Sequence, residues 1–312
     1  MIDTPSDEFK PAYYHLFVTG TLEERAKAAY QRLRNCDLCA RYCLVDRTQT
    51  VEGAVCRTGE MAVVHSFGPH HGEERPLSGW RGSGTIFFSR CNLRCVYCQN
   101  WEISHKGVGH EVTPDEIAGM MMDLQDQQCH NINFVSPSHV VAQIISAVTI
   151  AVQRGLRLPL VYNTGGYDSL EALQLLDGII DIYMPDMKYG DPLTGRQYSK
   201  VPDYTQRNER AVREMHRQVG DLVIDRSGIA RRGLLIRHLV LPEGKAGTEH
   251  VLAFISRELS HNTYVNIMDQ YYPCYRADEY QPLDHRLSQE EFSWALKVAR
   301  NYGLRRLDCA RH

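Results

Sequence analysis

The run Ser89-Arg-Cys-Asn-Leu-Arg-Cys-Val-Tyr-Cys-Gln-Asn-Trp-Glu-Ile-Ser104 sets Cys91, Cys95 and Cys98 directly behind the apolar stretch Gly84-Thr-Ile-Phe-Phe88. An apolar stretch followed by a tight polar loop reads as a strand handing over to a helix, the junction where α/β folds hold their ligands. A four-iron cluster normally takes four thiolates. Three close cysteines can hold three irons and leave one open, and an open position marks catalytic rather than structural metal sites. Two plainer readings compete. With His105 the same thiols match a Cys3His zinc site, and buried free cysteine is also ordinary core packing.

Outward from that loop, short apolar runs alternate with helical patterns, the signature of βαβ units on a parallel sheet. The pattern predicts strands near 84–89, 131–136, 158–163, 179–186, 233–241 and 263–269. Helices are expected over about 138–154, 169–176, 205–218, 247–259 and 288–301. Thr113-Pro-Asp-Glu-Ile117 opens a further helix with a capping box and proline in the first turn. Upstream, Thr21 is placed to cap a helix that leads into Cys36, and Gly68 to Gly82 reads as a linking loop. Periodicity alone does not separate a partial barrel from an open doubly wound sheet.

The Cys-x3-Cys-x2-Cys spacing, with Tyr97 before the last cysteine and the words Cys-Asn-Leu-Arg-Cys and Tyr-Cys-Gln-Asn, resembles the signature of the radical S-adenosylmethionine (SAM) superfamily. Within it the chain is similar to an uncharacterised branch close to pyruvate formate-lyase-activating enzyme. The likeness covers about residues 84–275, and the N-terminal segment by cysteine pattern only. It implies an α/β fold, a partial (β/α)6 barrel with an N-terminal cysteine-rich extension. Residues 1–80 would form the helix and four-cysteine segment, and 81–312 the barrel with a C-terminal extension. It further implies a [4Fe-4S] cluster on Cys91, Cys95 and Cys98 whose open iron chelates the amino and carboxylate groups of SAM. Reductive cleavage would then give methionine and a 5'-deoxyadenosyl radical that abstracts hydrogen, with ferredoxin or flavodoxin as the electron donor.

Catalytic groups of a parallel barrel gather at the C-terminal ends of its strands. At the second strand end, Asn133-Phe-Val-Ser-Pro-Ser-His139 replaces the Gly-Gly-Glu-like run that contacts the SAM amino group elsewhere in the superfamily. Ser136 and Ser138 are candidates for that contact, and His139 for the substrate side or for plain solvent. The third end, Tyr162-Asn-Thr-Gly-Gly-Tyr-Asp168, offers Asn163 and Thr164 to SAM and lets Gly165 and Gly166 approach a ligand, with Asp168 a competing helix cap. Asp186 and Lys188 share a face of the fourth strand, and Asp-x-Lys resembles a run that activating-enzyme relatives place beside SAM. Arg237, in an otherwise apolar fifth strand apart from His238, needs an anion, and the SAM carboxylate is the candidate. Asn266, Met268 and Gln270 share a face of the sixth strand, Gln270 being assigned to SAM. Tyr97 joins the SAM group, while Tyr271 and Cys274 are candidates for the substrate side.

Cys36-x2-Cys39-x3-Cys43, with Cys56, supplies thiolates for a closed zinc site or a second [4Fe-4S] cluster, of structural or electron-relay character. Activating enzymes with extra clusters carry the added cysteines after the SAM motif, whereas these precede it, so their role does not transfer. Cys129 and Cys309 read as inert.

The 312 residues, 43% of them apolar, suffice for one large core. A net charge of −3 without a long basic run gives no sign of nucleic acid. No long apolar run or leader-like N-terminus appears, so no membrane span or secretion is expected. Ten cysteines at metal-ligand spacings fit a cytoplasmic chain. The function expected is a radical SAM oxidoreductase acting on an unidentified small molecule, peptide or protein. The alternatives are a glycyl-radical-enzyme activase, or a non-enzymatic iron–sulfur or zinc protein.

Overall fold

The structure, a computed structural model, describes residues 9–308; the Met1–Glu8 stretch read for a leader, and Cys309, lie outside the described residues. Helices Tyr13–Val18 (α1) and Thr21–Arg32 (α2) lead to strand Ala62–His70 (β1), the short helix Arg75–Ser78 (α3) and strand Ser83–Phe88 (β2). Next come His110–Val112 (β3), Pro114–Asp126 (α4), Ile132–Val135 (β4), Val141–Gln153 (α5), Leu160–Thr164 (β5), Leu170–Leu176 (α6) and Ile182–Pro185 (β6). Helices Pro192–Ser199 (α7) and Tyr204–Val219 (α8) precede strands Val223–Ile224 (β7) and Ala230–Leu239 (β8). Thr248–Phe254 (α9), Tyr264–Met268 (β9), Gln289–Asn301 (α10) and Leu307–Asp308 (β10) complete the order.

Strands β2, β4, β5, β6, β8 and β9 lie side by side, each pair parallel. They are the strands expected from the sequence, and they form the partial (β/α)6 barrel. The sheet order β10-β9-β8-β6-β5-β4-β2-β1-β3 leaves its two edges unpaired with each other, so the barrel is open. All of β5 is buried, because helices cover one side and the barrel interior the other. The capping box at α4 forms, with Thr113 Oγ1 accepting from Glu116 N–H and Glu116 reaching back. The cap expected of Thr21 does not form: Gly20 turns the chain with φ 78° and Thr21 is the first helical residue. The linking loop expected over 68–82 is partly regular structure. Its first residues finish β1, antiparallel to β2 with His70 opposite Ser83, and α3 follows. Only the start of β1 is buried, so no apolar alternation announced it.

Alternation along the strands sorts the barrel interior into layers. At the lower end Leu77 of α3 packs with Val161, Ile182, Met184 and Leu235. Each such buried aliphatic contributes roughly 1.5–3 kcal/mol. In register, Asn133 stands opposite Val161 and Asn266 opposite Arg237. The upper ends, at Val135, Asn163, Asp186, Arg237 and Met268, line a cavity of about 420 Å3. Outside the barrel, Leu22 and Ala29 of α2 join Ile144 and Ala147 of α5 in one core, so the N-terminal helix packs on the barrel's own helices.

Candidate active site

The loop after β2 brings Cys91, Cys95 and Cys98 to the wall of a cavity of about 160 Å3, together with Asn163, Asp186 and Arg237. Each thiol has a donor beside it. Leu93 N–H points at Cys91 Sγ at 3.4 Å. Ser199 Oγ, at the end of α7, lies 2.9 Å from Cys95 Sγ, and Ser104 Oγ 3.1 Å from Cys98 Sγ. Burial pushes the Cys91 thiol up to about 12, and it raises Cys95 and Cys98 as well. Lys188 opposes the rise at all of them. Ligation by iron removes the proton outright, and N–H or O–H donors beside the sulfurs suit thiolates. The residues therefore fit an iron–sulfur cluster. His105 lines the same small cavity as the thiols, its Nε2 at 3.1 Å from Cys95 O and its ring packed on Tyr275.

The charged residues expected at the strand ends meet. Asp186 Oδ2 accepts from Lys188 Nζ at 2.6 Å, and Asp186 Oδ1 from Arg237 Nε at 2.9 Å. Arg237 Nη2 also donates to Asn163 Oδ1 at 2.8 Å. Burial pushes the Asp186 carboxyl up, but Arg237 and Lys188 more than reverse this and hold it below the usual carboxylate range. Asn208 Nδ2 and the Tyr204 hydroxyl, both on α8, bond the Asp186 carbonyl. Gly166, at φ 74°, is pressed against that carbonyl and Asn208, so its freedom serves chain packing rather than a ligand.

Other expected residues separate. Ser136 lines the smaller cavity, whereas Ser138 is buried and pairs with Thr164 Oγ1 at 2.9 Å. Asp168 takes bonds from Tyr162 and Thr164, and Ser169 caps α6 in its place. His139 is buried against the Ser89 carbonyl at 3.0 Å, behind the cysteine loop; burial and Arg47 bring its pKa down to about 3. His238 faces outward, between Met187 O and Thr248 Oγ1. Tyr97 and Gln270 line the larger cavity. Tyr97 OH meets Tyr189 OH at 2.7 Å, and Tyr189 OH meets Ser199 Oγ at 2.7 Å. Tyr271 is buried with its hydroxyl on Leu283 O, and Cys274 Sγ contacts Tyr97 O at 3.3 Å.

The sequence reading missed the opposite side of the larger cavity, where His70 and Glu73 stand. Glu73 Oε2 lies 4.0 Å from Arg237 Nη1, and Glu73 Oε1 3.4 Å from His70 Nδ1. Glu74 is buried, its Oε1 accepting from Asn266 Nδ2 at 2.9 Å. The one signal for this side was an adjacent carboxylate pair before a proline and a buried leucine.

Cys36, Cys39 and Cys56 are buried and Cys43 half-buried. Burial raises the Cys39 thiol and Cys56, Cys36 and Cys43 add to it, so the four sulfurs share a neighbourhood. Buried Arg47 donates to Cys36 Sγ at 3.4 Å and to the carbonyls of Thr58 and Gly59. Arginines stitch this segment to the catalytic loop: Arg41 to Asn92 O, Arg94 to Val55 O, Arg90 to Arg57 O and Arg57 to His105 O. Among the described residues, no three His, Cys, Asp or Glu side chains are placed to hold a single metal ion.

Fold and site together define an open α/β barrel with a three-cysteine loop at the C-terminal end of its first parallel strand. The chain belongs to the radical SAM superfamily, whose family model matches residues 85–227. An uncharacterized protein of Methanocaldococcus jannaschii is 33% identical over 291 residues, spanning 91% of this chain and 79% of that protein. Among solved structures, a radical SAM methyltransferase from Sphaerobacter thermophilus is similar at 12% identity and TM-score 0.46, over 73% of this chain and 67% of that one. A domain of pyruvate-formate lyase-activating enzyme from Bacteroides vulgatus is similar at 13% identity and TM-score 0.36, over 53% and 89% of the respective chains. Membership implies an enzyme with a [4Fe-4S] cluster that uses SAM for radical chemistry. No helix among the described residues is long and apolar enough to cross a membrane.

Proposed function

We propose that this chain cleaves SAM reductively at a [4Fe-4S] cluster held by Cys91, Cys95 and Cys98, and directs the radical to a hydrogen of a separate substrate. The observation that carries this reading is that those thiols share one cavity wall with Asn163, Asp186, Lys188 and Arg237. Held by Cys91, Cys95 and Cys98, a reduced cluster would supply the one-electron chemistry that splits the sulfonium into methionine and a 5'-deoxyadenosyl radical. Asp186 pins Lys188 and Arg237 in place; Lys188 keeps donors in reserve, and so does the guanidinium fork. These reserve donors suit the carboxylate of SAM. Lys188 also favours the thiolate state of the cysteines, and the Tyr97–Tyr189–Ser199 chain of hydroxyls seals one side of the loop. Sealing keeps water from a reactive intermediate. A one-electron carrier of ferredoxin or flavodoxin type is the reductant in this reading.

The N-terminal thiols we assign to a second iron–sulfur cluster, with buried Arg47 balancing its negative charge. A single zinc ion needs sulfurs about 3.8 Å apart, from Zn–S bonds of about 2.3 Å, and no such gathering is present among the described residues. The test is anaerobic purification, reconstitution with iron and sulfide, and reduction with dithionite. Release of 5'-deoxyadenosine from SAM is expected; a reducible cluster that releases none, with any candidate substrate present, would overturn the catalytic reading.

A further inference from the structure

The larger cavity runs from the cysteine loop at the C-terminal end of β2 to His70 and Glu73. His70 pairs with Ser83, the first residue of β2. The His70 ring, however, packs edge-on to Phe87 with centroids 5.8 Å apart, so this wall lies beside the upper part of β2 and adjoins the Arg237 side of the site. Cations are shared unevenly between the carboxylates there. Asp186 bonds both Lys188 and Arg237, while Glu73 has no Lys or Arg within hydrogen-bond distance, its nearest being Arg237 at 4.0 Å.

The layer beneath holds unspent polar groups. Asn131 reaches the Leu77 carbonyl and Val135 lines the cavity, so Asn133, on the same face of β4, lies between the two. Asn133 is wholly buried and neither its Oδ1 nor its Nδ2 has a partner. Glu74 is 6% exposed and its Oε2 is also without a partner. Buried polar groups are nearly always satisfied, and leaving one unmade is costly. Those two lie behind the cavity wall; the carboxylate that lines the cavity itself is Glu73, and its incomplete pairing points to a ligand with nitrogen donors.

We propose that Glu73, beside His70 on the wall of the larger cavity, receives a protonated nitrogen of a small-molecule substrate, an amine or a guanidine. This deepens the catalytic reading and rests on it for the word substrate. SAM carries a protonated amine of its own, and Arg237, assigned to its carboxylate, lies 4.0 Å from Glu73, so the test is run with SAM already bound. Leu77 and its apolar neighbours close the barrel below, so the group received at this level is a compact head rather than a chain passing through.

The test is calorimetric titration of the reconstituted, SAM-saturated protein with n-butylguanidinium, n-butylammonium and, as a neutral control, 1-butanol. Butylguanidinium or butylammonium should bind about tenfold or more tightly than butanol, since a charge-assisted bond contributes about 1.5–3 kcal/mol. Glu73→Gln should erase the difference, and Glu73→Asp should restore part of it at an unchanged melting midpoint. Equal binding of butanol in the wild type overturns the proposal without any variant. So does an amine that binds only when SAM is left out, because this wall would then belong to SAM. No release of 5'-deoxyadenosine would defeat the catalytic reading and leave the binding result standing; release without amine binding defeats this proposal alone.

Discussion

Asn266 Nδ2 donates to Glu74 Oε1 at 2.9 Å, joining residues 192 apart in the chain. The bond ties the connection that precedes β2 to the last strand of the six-strand barrel, across the side where the sheet does not close. Glu74 has no second hydrogen-bond partner on Oε2, so Asn266→Ala would strand a buried carboxyl. A loss of about 2 kcal/mol in urea unfolding is expected; a loss under about 0.5 kcal/mol would show that the tie carries no stability.

Cys95→Ala should remove both the visible absorption of the catalytic cluster and all release of 5'-deoxyadenosine. Cys129, buried in the main core away from the cavity, provides the contrast. Cys129→Ala should keep cluster and activity, at a cost of about 1 kcal/mol of stability.

Arg237→Lys should weaken SAM binding about tenfold or more, read by equilibrium titration of the reconstituted protein. A lysine has no fork to span Asp186 and Asn163 as Arg237 does. An unchanged dissociation constant would place the SAM carboxylate elsewhere.

Burial brings His238 down to about 4, opposed by the Met187 carbonyl. Its folded value lies below the ordinary value of about 6.5, so the fold favours the neutral ring. The stabilisation is whole above about pH 6.5 and is lost as pH falls towards 4, by up to about 3 kcal/mol. Urea midpoints between those limits should fall for the wild type and fall less for His238→Gln.

Cys39→Ser should lower the iron content of the reconstituted protein to roughly half, if each thiol group holds a four-iron cluster. Zinc recovered with unchanged iron would assign the N-terminal thiols to zinc instead.

The barrel was readable because its strands are buried on both faces, giving continuous apolar runs such as Leu160–Thr164 that flanking helices punctuate. The cysteine loop was readable from its spacing together with the residues around it; Asp186, Lys188 and Arg237 were readable as charges set in apolar strands, but not that Arg237 would find its anion in Asp186. The Glu73 wall was not readable. His70 and Glu73 follow a strand buried only at its start, and Glu74 is buried by a partner at position 266 that no local pattern reveals. Ser199 could not be foreseen beside Cys95, since α7 is a short helix of mixed polarity whose role depends on where β6 delivers it. His139 looked functional and is packed behind the loop, because a histidine after a strand reads alike whether it faces a ligand or a neighbouring carbonyl.

The arginines that reach between the N-terminal thiol segment and the catalytic loop make injury communicable. Cys43 is the more accessible sulfur of its group, and thiolate oxidation follows exposure. Arg94 and Arg41 draw their acceptors from opposite sides of the seam, one from Val55 next to Cys56 and the other from Asn92 next to Cys91. Unravelling of the outer segment would therefore also take away bonds that hold the inner loop in place.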